Sequence, residues 1–175
     1  MPTTAKTKAK RAAERKSNVP RASHGARLEA SSAIEQLKRD HREVESYFEQ
    51  YEDLTDDDAK AELAEKICKA LKVHMQIEEE IFYPQARKAT GDEDLLDEAL
   101  VEHAGAKHLI EEIESMEPGE DLYDAKIRVL SEQIKHHVEE EEGELFPELE
   151  RSKIDVGQVG KEMAARKNEL MAEAA

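Results

Sequence analysis

At 175 residues the chain is long enough for one domain with tails, and its 39% charged, 38% hydrophobic and 4% aromatic residues suit long helices with charged outer faces. The net charge of −16 argues against nucleic acid as a partner of the folded body, because it repels a phosphate backbone, and the single cysteine, Cys68, excludes an internal disulfide and fits a reducing compartment. No run reaches the roughly 18 apolar residues that span a bilayer and no hydrophobic signal region opens the chain, so the sequence predicts a cytoplasmic protein without membrane contact.

Residues 1–29 form a basic segment that we expect to be a mobile tail. Up to residue 27 it carries eight basic residues and one acidic residue, Glu14. The basic residues are Lys6, Lys8, Lys10, Arg11, Arg15, Lys16, Arg21 and Arg27. Such a tail can contact the protein's own acidic body, an anionic membrane or, weakly, nucleic acid, and its composition also resembles that of a transit peptide.

The first two predicted helices follow from the spacing of apolar residues. From Ser31 or Ser32, either of which suits an N-cap, apolar residues recur at three- and four-residue steps. A second helix is expected to open at Thr55, with three aspartates in a first turn where anions favour the helix dipole. Pro84 is expected to kink or loosen its last turns, and Cys68 falls in its apolar pattern as a buried, inert thiol.

Two further long helices and a shorter one are predicted after these. The Gly-Asp pair at 91–92 forms the turn before a third helix, and the Pro-Gly pair at 118–119 ends it. A fourth helix is expected over about 121–150. Beyond it, Asp155 can cap a shorter helix that ends near Leu170.

The predicted fold is all-α. Only seven glycines and five prolines interrupt the chain, which favours few, long elements. Four long helices joined by short turns must pack against one another to bury their apolar stripes. The sequence therefore predicts an up-down four-helix bundle at 30–152, an extra C-terminal helix at 153–175 and the basic tail at 1–29.

An internal repeat marks the candidate site. In the second and fourth helices a histidine precedes a glutamate by four residues and a proline by ten, and the two segments align at an offset of 63. The matching residues are His74, Glu78 and Pro84, and His137, Glu141 and Pro147. An acid-histidine pair lies upstream of each segment, Asp40-His41 in the first copy and Glu102-His103 in the second. The chain thus contains two copies of one helical hairpin.

The spacing has a chemical reason. Residues four apart lie on one helix face, so an imidazole and a carboxylate there converge on one point, and facing helices of a bundle build two-metal sites from such pairs. An unpaired glutamate in the core costs several kcal/mol, and a bound cation removes that cost. We therefore predict six metal ligands, which are His41, His74, Glu78, His103, His137 and Glu141.

Other candidates are assigned no metal chemistry. His136 also precedes a glutamate by four residues, but the repeat aligns it with Val73, off the apolar stripe. Phe82, Tyr83 and Phe146 are interpreted as packing at the end of the bundle, although Tyr83 can reach the site. The remaining acidic residues of the runs 78–80 and 139–142 are interpreted as solvated faces.

The motifs resemble the hemerythrin-like, HHE cation-binding domain family over about residues 34–150. They are Asp40-His41-Arg42, the run HMQIEEEIFYP from His74, Glu102-His103-Ala104 and the run HHVEEEEGELFP from His136. The resemblance implies two iron ions joined by an oxo or hydroxo group. It places His41 and His74 on one ion, His103 and His137 on the other, and Glu78 and Glu141 between them. The ligand types leave manganese or a mixed metal pair open as alternatives.

One departure from the family bears on function. Oxygen-carrying hemerythrins have a fifth histidine one turn after the counterpart of His103, whereas this chain has Lys107 there and His108 points to another side of the helix. Their second bridging carboxylate is an aspartate, where this chain has a glutamate. Glu45, four residues after His41, is a candidate either to ligate the metal held by His41 or to pair with Lys107.

The resemblance and the missing histidine together imply reaction with O₂, peroxide or nitric oxide rather than reversible oxygen storage. The role would be protection against oxidative or nitrosative stress or redox sensing, and peroxide-decomposing, catalase-like turnover is one form of it. The alternatives are a metal- or oxygen-sensing module and an iron store without turnover. No catalytic residue beyond the metal ligands and no protein partner is implied.

Overall fold

Seven helices form the described part of the molecule. The computed structural model describes residues 31–91 and 93–173, and within these ranges the chain is helical without β-strands. The helices are α1 (Ala33–Glu52), α2 (Asp57–Ile77), α3 (Tyr83–Thr90), α4 (Asp94–Glu114), α5 (Tyr123–Glu140), α6 (Phe146–Arg151) and α7 (Val156–Glu173). None of the helices in these ranges combines the length and apolar character needed to cross a bilayer. The predicted tail at 1–29 lies outside the described residues.

Two widened turns join short helices into long ones. A π turn at Glu78–Phe82 connects α2 with α3, and a second at Glu141–Leu145 connects α5 with α6. Each turn is followed by a proline, which lacks an N–H and clashes with a regular preceding turn, so widening that turn relieves the conflict. The prediction of a loosened helix before Pro84 is confirmed, and the four long helices of the predicted bundle are α1, α2–α3, α4 and α5–α6.

Local side chains define most helix ends. Ser32 and Glu35 form a capping box at α1, with distances of 2.9 and 3.2 Å. The N-cap of α2 is Asp56 rather than the predicted Thr55, and its carboxylate accepts from the Ala59 N–H. Asp155 caps α7 as predicted, by accepting from the N–H of Gln158.

The start of α5 differs from the prediction. The helix begins at Tyr123 rather than near residue 121, because Leu122 has a φ of 74°, in the left-handed region that a helix cannot contain. A leucine side chain makes this conformation costly, since its Cβ crowds the backbone. The sequence holds no glycine at this position to signal such a turn.

The core consists of two apolar clusters with a polar layer between them. One cluster includes Leu37, Ile77 and Leu145, and the other includes Val44, Leu71 and Leu130. Each long helix contributes to both clusters, and the predicted histidine ligands lie where its contribution changes from one cluster to the other. Glu141 lies between Leu130 of the second cluster and Leu145 of the first, and Glu78 follows Ile77 of the first cluster. The histidines and glutamates are therefore enclosed by hydrophobic packing on both sides.

Cys68 is buried, as the sequence predicts. Burial raises the pKa of its thiol to about 12, so the thiol stays protonated and unreactive at neutral pH.

The C-terminal helix α7 packs closely on α1 and α2. A Cβ atom at Gly160 would lie 2.5 Å from the Ser31 carbonyl oxygen and 2.7 Å from the Ala33 nitrogen, so only glycine allows this approach. The Gln36 amide donates to the Gly160 carbonyl at 2.7 Å. Val159, Met163 and Leu170 of α7 join the first apolar cluster.

Candidate metal centre

The structure brings the six predicted residues together in the polar layer. All six are buried. They fall into two groups whose donor atoms lie within 4.8 Å of one another, and Glu78 belongs to both. The groups are His41, His74, Glu78 and Glu141, and Glu78, His103 and His137. Four helices and the first residues of both π turns therefore supply donors to one place.

The four histidines lie in two pairs. The ring centroids of His41 and His74 are 4.9 Å apart, and those of His103 and His137 are 4.7 Å apart. Each glutamate reaches one histidine of each pair. Glu78 Oε2 lies 3.2 Å from His74 Nε2 and 3.4 Å from His103 Nε2. Glu141 Oε2 lies 3.4 Å from His41 Nε2 and 3.7 Å from His137 Nε2, so both carboxylates stand between the two halves.

Several inward-facing atoms of this layer have no hydrogen-bond partner. They are the Nε2 atoms of His41 and His74, both carboxylate oxygens of Glu78 and Oε2 of Glu141. Buried polar atoms are almost always paired, because an unpaired one keeps its full desolvation cost. Imidazole nitrogens and carboxylate oxygens aimed at one point suit a divalent cation such as iron, manganese or zinc. The residues therefore fit a bound metal.

The electrostatics of the layer favour positive charge. Burial lowers the pKa of His74, but the charge of Glu78 and the contact with Asp40 outweigh it and raise that pKa to about 10. Burial raises the pKa of Glu141, but the contact with His41 and the charge of His137 outweigh it and lower that pKa to about 2. A metal cation supplies the positive charge that these carboxylates require and displaces imidazole protons on binding.

A second set of carboxylates orients the imidazoles from outside. Glu142 lies 2.9 Å from His41 Nδ1, and Glu79 lies 2.9 Å from His103 Nδ1. The remaining contacts are Glu102 to His137 Nδ1 at 2.8 Å and Asp40 to His74 Nδ1 at 3.6 Å. A carboxylate only accepts hydrogen bonds, so Nδ1 of His41, His103 and His137 carries the hydrogen and their Nε2 atoms face the centre as donors to a metal.

The interpretation of Glu79 and Glu142 as parts of solvated faces is therefore wrong. Both contact a histidine of the layer, and both are paired with a cation on their other side. The internal repeat held a signal for them, because the two residues align with each other at the offset of 63. The apolar stripe of the helix alone could not indicate these histidine contacts, because Glu79 and Glu142 each lie one residue after the inward-facing glutamate.

A basic side chain stands behind each of these outer carboxylates. Lys107 contacts Glu79 and Arg42 contacts Glu142, both at 2.6 Å. Lys167 contacts Asp40 at 2.6 Å, and His136 lies 3.7 Å from Glu102. The side chain of His136 is 62% exposed, in agreement with its predicted position off the stripe.

The hypotheses about Glu45 are not supported. Its side chain is 54% exposed and bonds to Arg42 at 3.0 Å, and Lys107 bonds to Glu79 instead, so the predicted Glu45–Lys107 pair is wrong. Glu45 also belongs to neither buried group of possible ligands in the described ranges. Glu45 and Arg42 line a groove of about 400 Å³ between α1 and α5 that reaches His41.

Tyr83 places a hydroxyl inside the layer. It donates to Glu141 Oε1 at 2.9 Å and lies 3.2 Å from His103 Nε2. The π turn explains this position, because its extra residue turns Tyr83, rather than Phe82, onto the face of Glu78. The sequence left open that Tyr83 reaches the site as well as packing at the bundle end, and its hydroxyl lies there. Burial and the charge of Glu141 raise the pKa of Tyr83 well above its usual value, so it stays protonated as a donor.

The two halves of the layer differ at this point. Phe146 is the repeat counterpart of Tyr83, and its ring stacks on His41 with a centroid distance of 6.0 Å and an interplanar angle of 5°. The histidine pair His103 and His137 thus has a hydroxyl beside it, whereas His41 has an apolar ring. An otherwise symmetric arrangement offers a proton donor on one side only.

We expect Tyr83→Phe to lower the free energy of unfolding of the metal-free protein by about 1–3 kcal/mol, because Glu141 Oε1 loses its buried donor. Denaturant unfolding measures the change. Tyr47→Phe is the matched control, since Tyr47 donates to Glu43 at the exposed surface at 2.8 Å, and its effect should stay within about 0.5 kcal/mol. Equal losses in the two variants would contradict the assigned role of the Tyr83 hydroxyl.

Comparisons with known proteins give a family match, one similar protein sequence and one similar solved structure. Residues 32–149 match the hemerythrin HHE cation binding domain family. A DNA nickase of Nostoc sp. is 30% identical over 110 residues, which are 63% of this chain and 31% of that protein, so the chain spans about a third of its length. A crystal structure of a hemerythrin HHE cation binding domain-containing protein from Mycobacterium kansasii has a TM-score of 0.72 at 21% identity, covering 82% of this chain and 90% of that one.

Proposed function

This chain belongs to the hemerythrin HHE cation binding domain family, and from that premise we propose that it holds a di-iron centre which reacts with O₂, peroxide or nitric oxide. In this proposal His41 and His74 bind one iron, His103 and His137 bind the other, and Glu78 and Glu141 bridge them. The metal-binding unit is the bundle at 30–152. The buried thiol of Cys68 suits a reducing cytoplasm as the place of action.

One observation carries the proposal, namely that six buried donors from two helical hairpins face one point with several of their atoms unpartnered. Iron rather than manganese or zinc rests on the family, because the donor types suit all three. Each glutamate lies between two histidines of different pairs, and this position supports two ions rather than one.

The chain's own residues prepare this site for small ligands. A bound iron pair supplies two adjacent redox centres that can exchange electrons with O₂, peroxide or nitric oxide. The outer carboxylates keep the Nε2 lone pairs directed inward, and the apolar rings of Phe82 and Phe146, which are both buried, limit the access of water. Tyr83 holds a proton at its hydroxyl oxygen beside Glu141. The groove that reaches His41 offers a small molecule a route from solvent.

The absence of a fifth histidine supports reaction over storage. Lys107 occupies the position one turn after His103, and its ammonium group is bound to Glu79 at 2.6 Å rather than directed at the layer. Fewer imidazole ligands leave more positions at which a small molecule can bind. DNA cleavage is not part of the proposal, because the chain spans about a third of the Nostoc nickase and its charge of −16 repels a phosphate backbone.

Peroxide consumption tests the proposal. We expect the purified, iron-loaded protein, with two iron ions per chain by metal analysis, to remove peroxide steadily. His74→Ala should lower the rate of peroxide removal by about 100-fold or more. Loss of a carboxylate that orients a metal ligand already lowers metal affinity or activity by 10–100-fold, and loss of the ligand itself is a larger change. His136→Ala is the control for a lost histidine and should retain the rate.

The possible results separate the candidate functions. Retained iron without peroxide removal or reaction with O₂ or nitric oxide would favour a sensing module or an iron store. A His74→Ala protein as active as its parent would attribute the peroxide loss to stray iron and overturn the proposal.

A further inference from the structure

We infer that the C-terminal helix α7 is a working part of the metal centre, in which Lys167 is a positioning residue that holds Asp40 against His74. This inference rests on the proposed metal site. The helix lies beyond residues 32–149, the part of the chain that matches the family. Lys167 is therefore a feature of this chain that the family match does not supply.

The connection from α7 to the centre runs through two contacts. Lys167 Nζ donates to Asp40 Oδ1 at 2.6 Å, and the other oxygen of Asp40 lies 3.6 Å from His74 Nδ1. The Asp40 side chain is 12% exposed, so solvent cannot replace Lys167 freely as its partner. The position of this carboxylate, and through it the orientation of the His74 ring, depends on where α7 places the ammonium group.

This contact is the loosest of the four that orient the imidazoles. The other three carboxylates lie 2.8–2.9 Å from their Nδ1 atoms, within hydrogen-bond distance. Asp40 Oδ2 and His74 Nδ1 face each other slightly beyond it, and neither has another hydrogen-bond partner. A displacement of about half an ångström decides whether this hydrogen bond forms. The constraint that Lys167 places on Asp40 is therefore most consequential here.

The packing of α7 fixes the position of Lys167. The close approach at Gly160 and the hydrogen bond from Gln36 attach the first half of the helix to α1. Met163 and Leu170, which precede and follow Lys167, are buried in the first apolar cluster and hold the second half of the helix. The backbone of α7 is thus held against the bundle on both sides of Lys167.

The basic side chains near the other three outer carboxylates lie within the bundle. Arg42 on α1 and Lys107 on α4 each lie 2.6 Å from their carboxylate, whereas His136 on α5 is 62% exposed and 3.7 Å from Glu102, too far to hold that carboxylate. All three fall in the family-matched range. Of the four imidazoles, only His74 has an outer carboxylate whose basic partner lies on α7. The inference therefore applies to one half of the centre, the ion proposed to bind His41 and His74.

Iron release tests this inference without relying on activity. The 175-residue protein is loaded with iron(II) under anaerobic conditions, and a chromogenic chelator then reports the rate at which iron leaves. We expect Lys167→Met to accelerate the release of one ion per chain by about 3- to 10-fold, at or below the lower end of the 10–100-fold effect of outer partners on metal affinity. The second ion should leave at the parent rate, and Lys167→Arg should restore the slower release.

Arg166→Met is the matched control. It removes a neighbouring ion pair between α7 and the bundle but touches Glu80, which contacts none of the six proposed ligands in the described structure. Gly160→Ala is a second test variant, since its added Cβ displaces α7 from α1 and should also accelerate release of one ion.

Each outcome is decisive. Release from Lys167→Met no faster than from Arg166→Met overturns the inference while leaving the di-iron proposal intact. Acceleration of both ions equally also overturns it, because the contact reaches only one half. A parent protein that retains no iron(II) overturns the proposed function, and the inference with it.

Discussion

His137→Ala is expected to lower the affinity for iron by about 100-fold or more, so that the protein recovered after desalting carries at most one iron ion per chain. His137 is buried, lies within the group that contains Glu78 and His103, and has its Nδ1 bound to Glu102 at 2.8 Å. Removing an inward ligand should exceed the 10–100-fold effect of removing an outer partner. Metal analysis and the optical spectrum of the loaded protein measure the change.

The adjacent residue provides a close control. His136→Ala removes the same side chain one position away, where the ring is 62% exposed and contacts Glu102 and Glu140 on the surface. Its iron content should match that of the parent. If His136→Ala loses as much iron as His137→Ala, then the register that places His137 in the centre is wrong.

Glu78→Met is expected to change stability in opposite directions in the metal-free and the iron-loaded protein. Glu78 is fully buried, and neither of its carboxylate oxygens has a hydrogen-bond partner. Among the effects that raise the pKa of His74 against burial, the charge of Glu78 is the largest. A buried carboxylate without hydrogen-bond partners keeps its desolvation cost, and His74 becomes neutral once the charge that favours its proton is removed, so we expect a gain of about 1–3 kcal/mol without metal. Denaturant unfolding after treatment with a chelator measures this gain.

With iron present the sign should reverse. A ligand at a thousand times its dissociation constant stabilises the folded state by about 4 kcal/mol, and Glu78→Met loses this stabilisation with the bridging carboxylate. Glu65→Met, at an exposed position of α2, is the control and should change neither state by more than about 0.5 kcal/mol. A destabilised metal-free Glu78→Met protein would indicate that the carboxylate serves the fold rather than a cation.

The internal repeat made much of the centre predictable. Helical spacing places His74 and Glu78 on one face, and alignment of the two hairpins selects His137 over His136 without any structural information. The structure brings these residues together in one buried layer, between apolar clusters that the same periodicity indicates. Local signals of this kind are readable because each depends on residues within a few turns of one another.

The acidic and basic residues that contact this layer from outside could not be predicted from local spacing. Glu142 orients His41 across 101 residues, and Lys167 contacts Asp40 across 127 residues. Each of these residues is a charged side chain in a charged stretch, where solvated faces are the ordinary case. Nothing in their local spacing distinguishes them from neighbours that do face solvent.

By itself, the sequence determined the helices, the repeated hairpin and the six inward residues, because a period of 3.6 residues fixes which side chains share a face. The tertiary structure alone decided which acids and cations stand behind the histidines, since those distances depend on how separate helices pack. It also decided the position of the Tyr83 hydroxyl. The π turn adds one residue to the helix turn and so departs from the period on which the prediction relied.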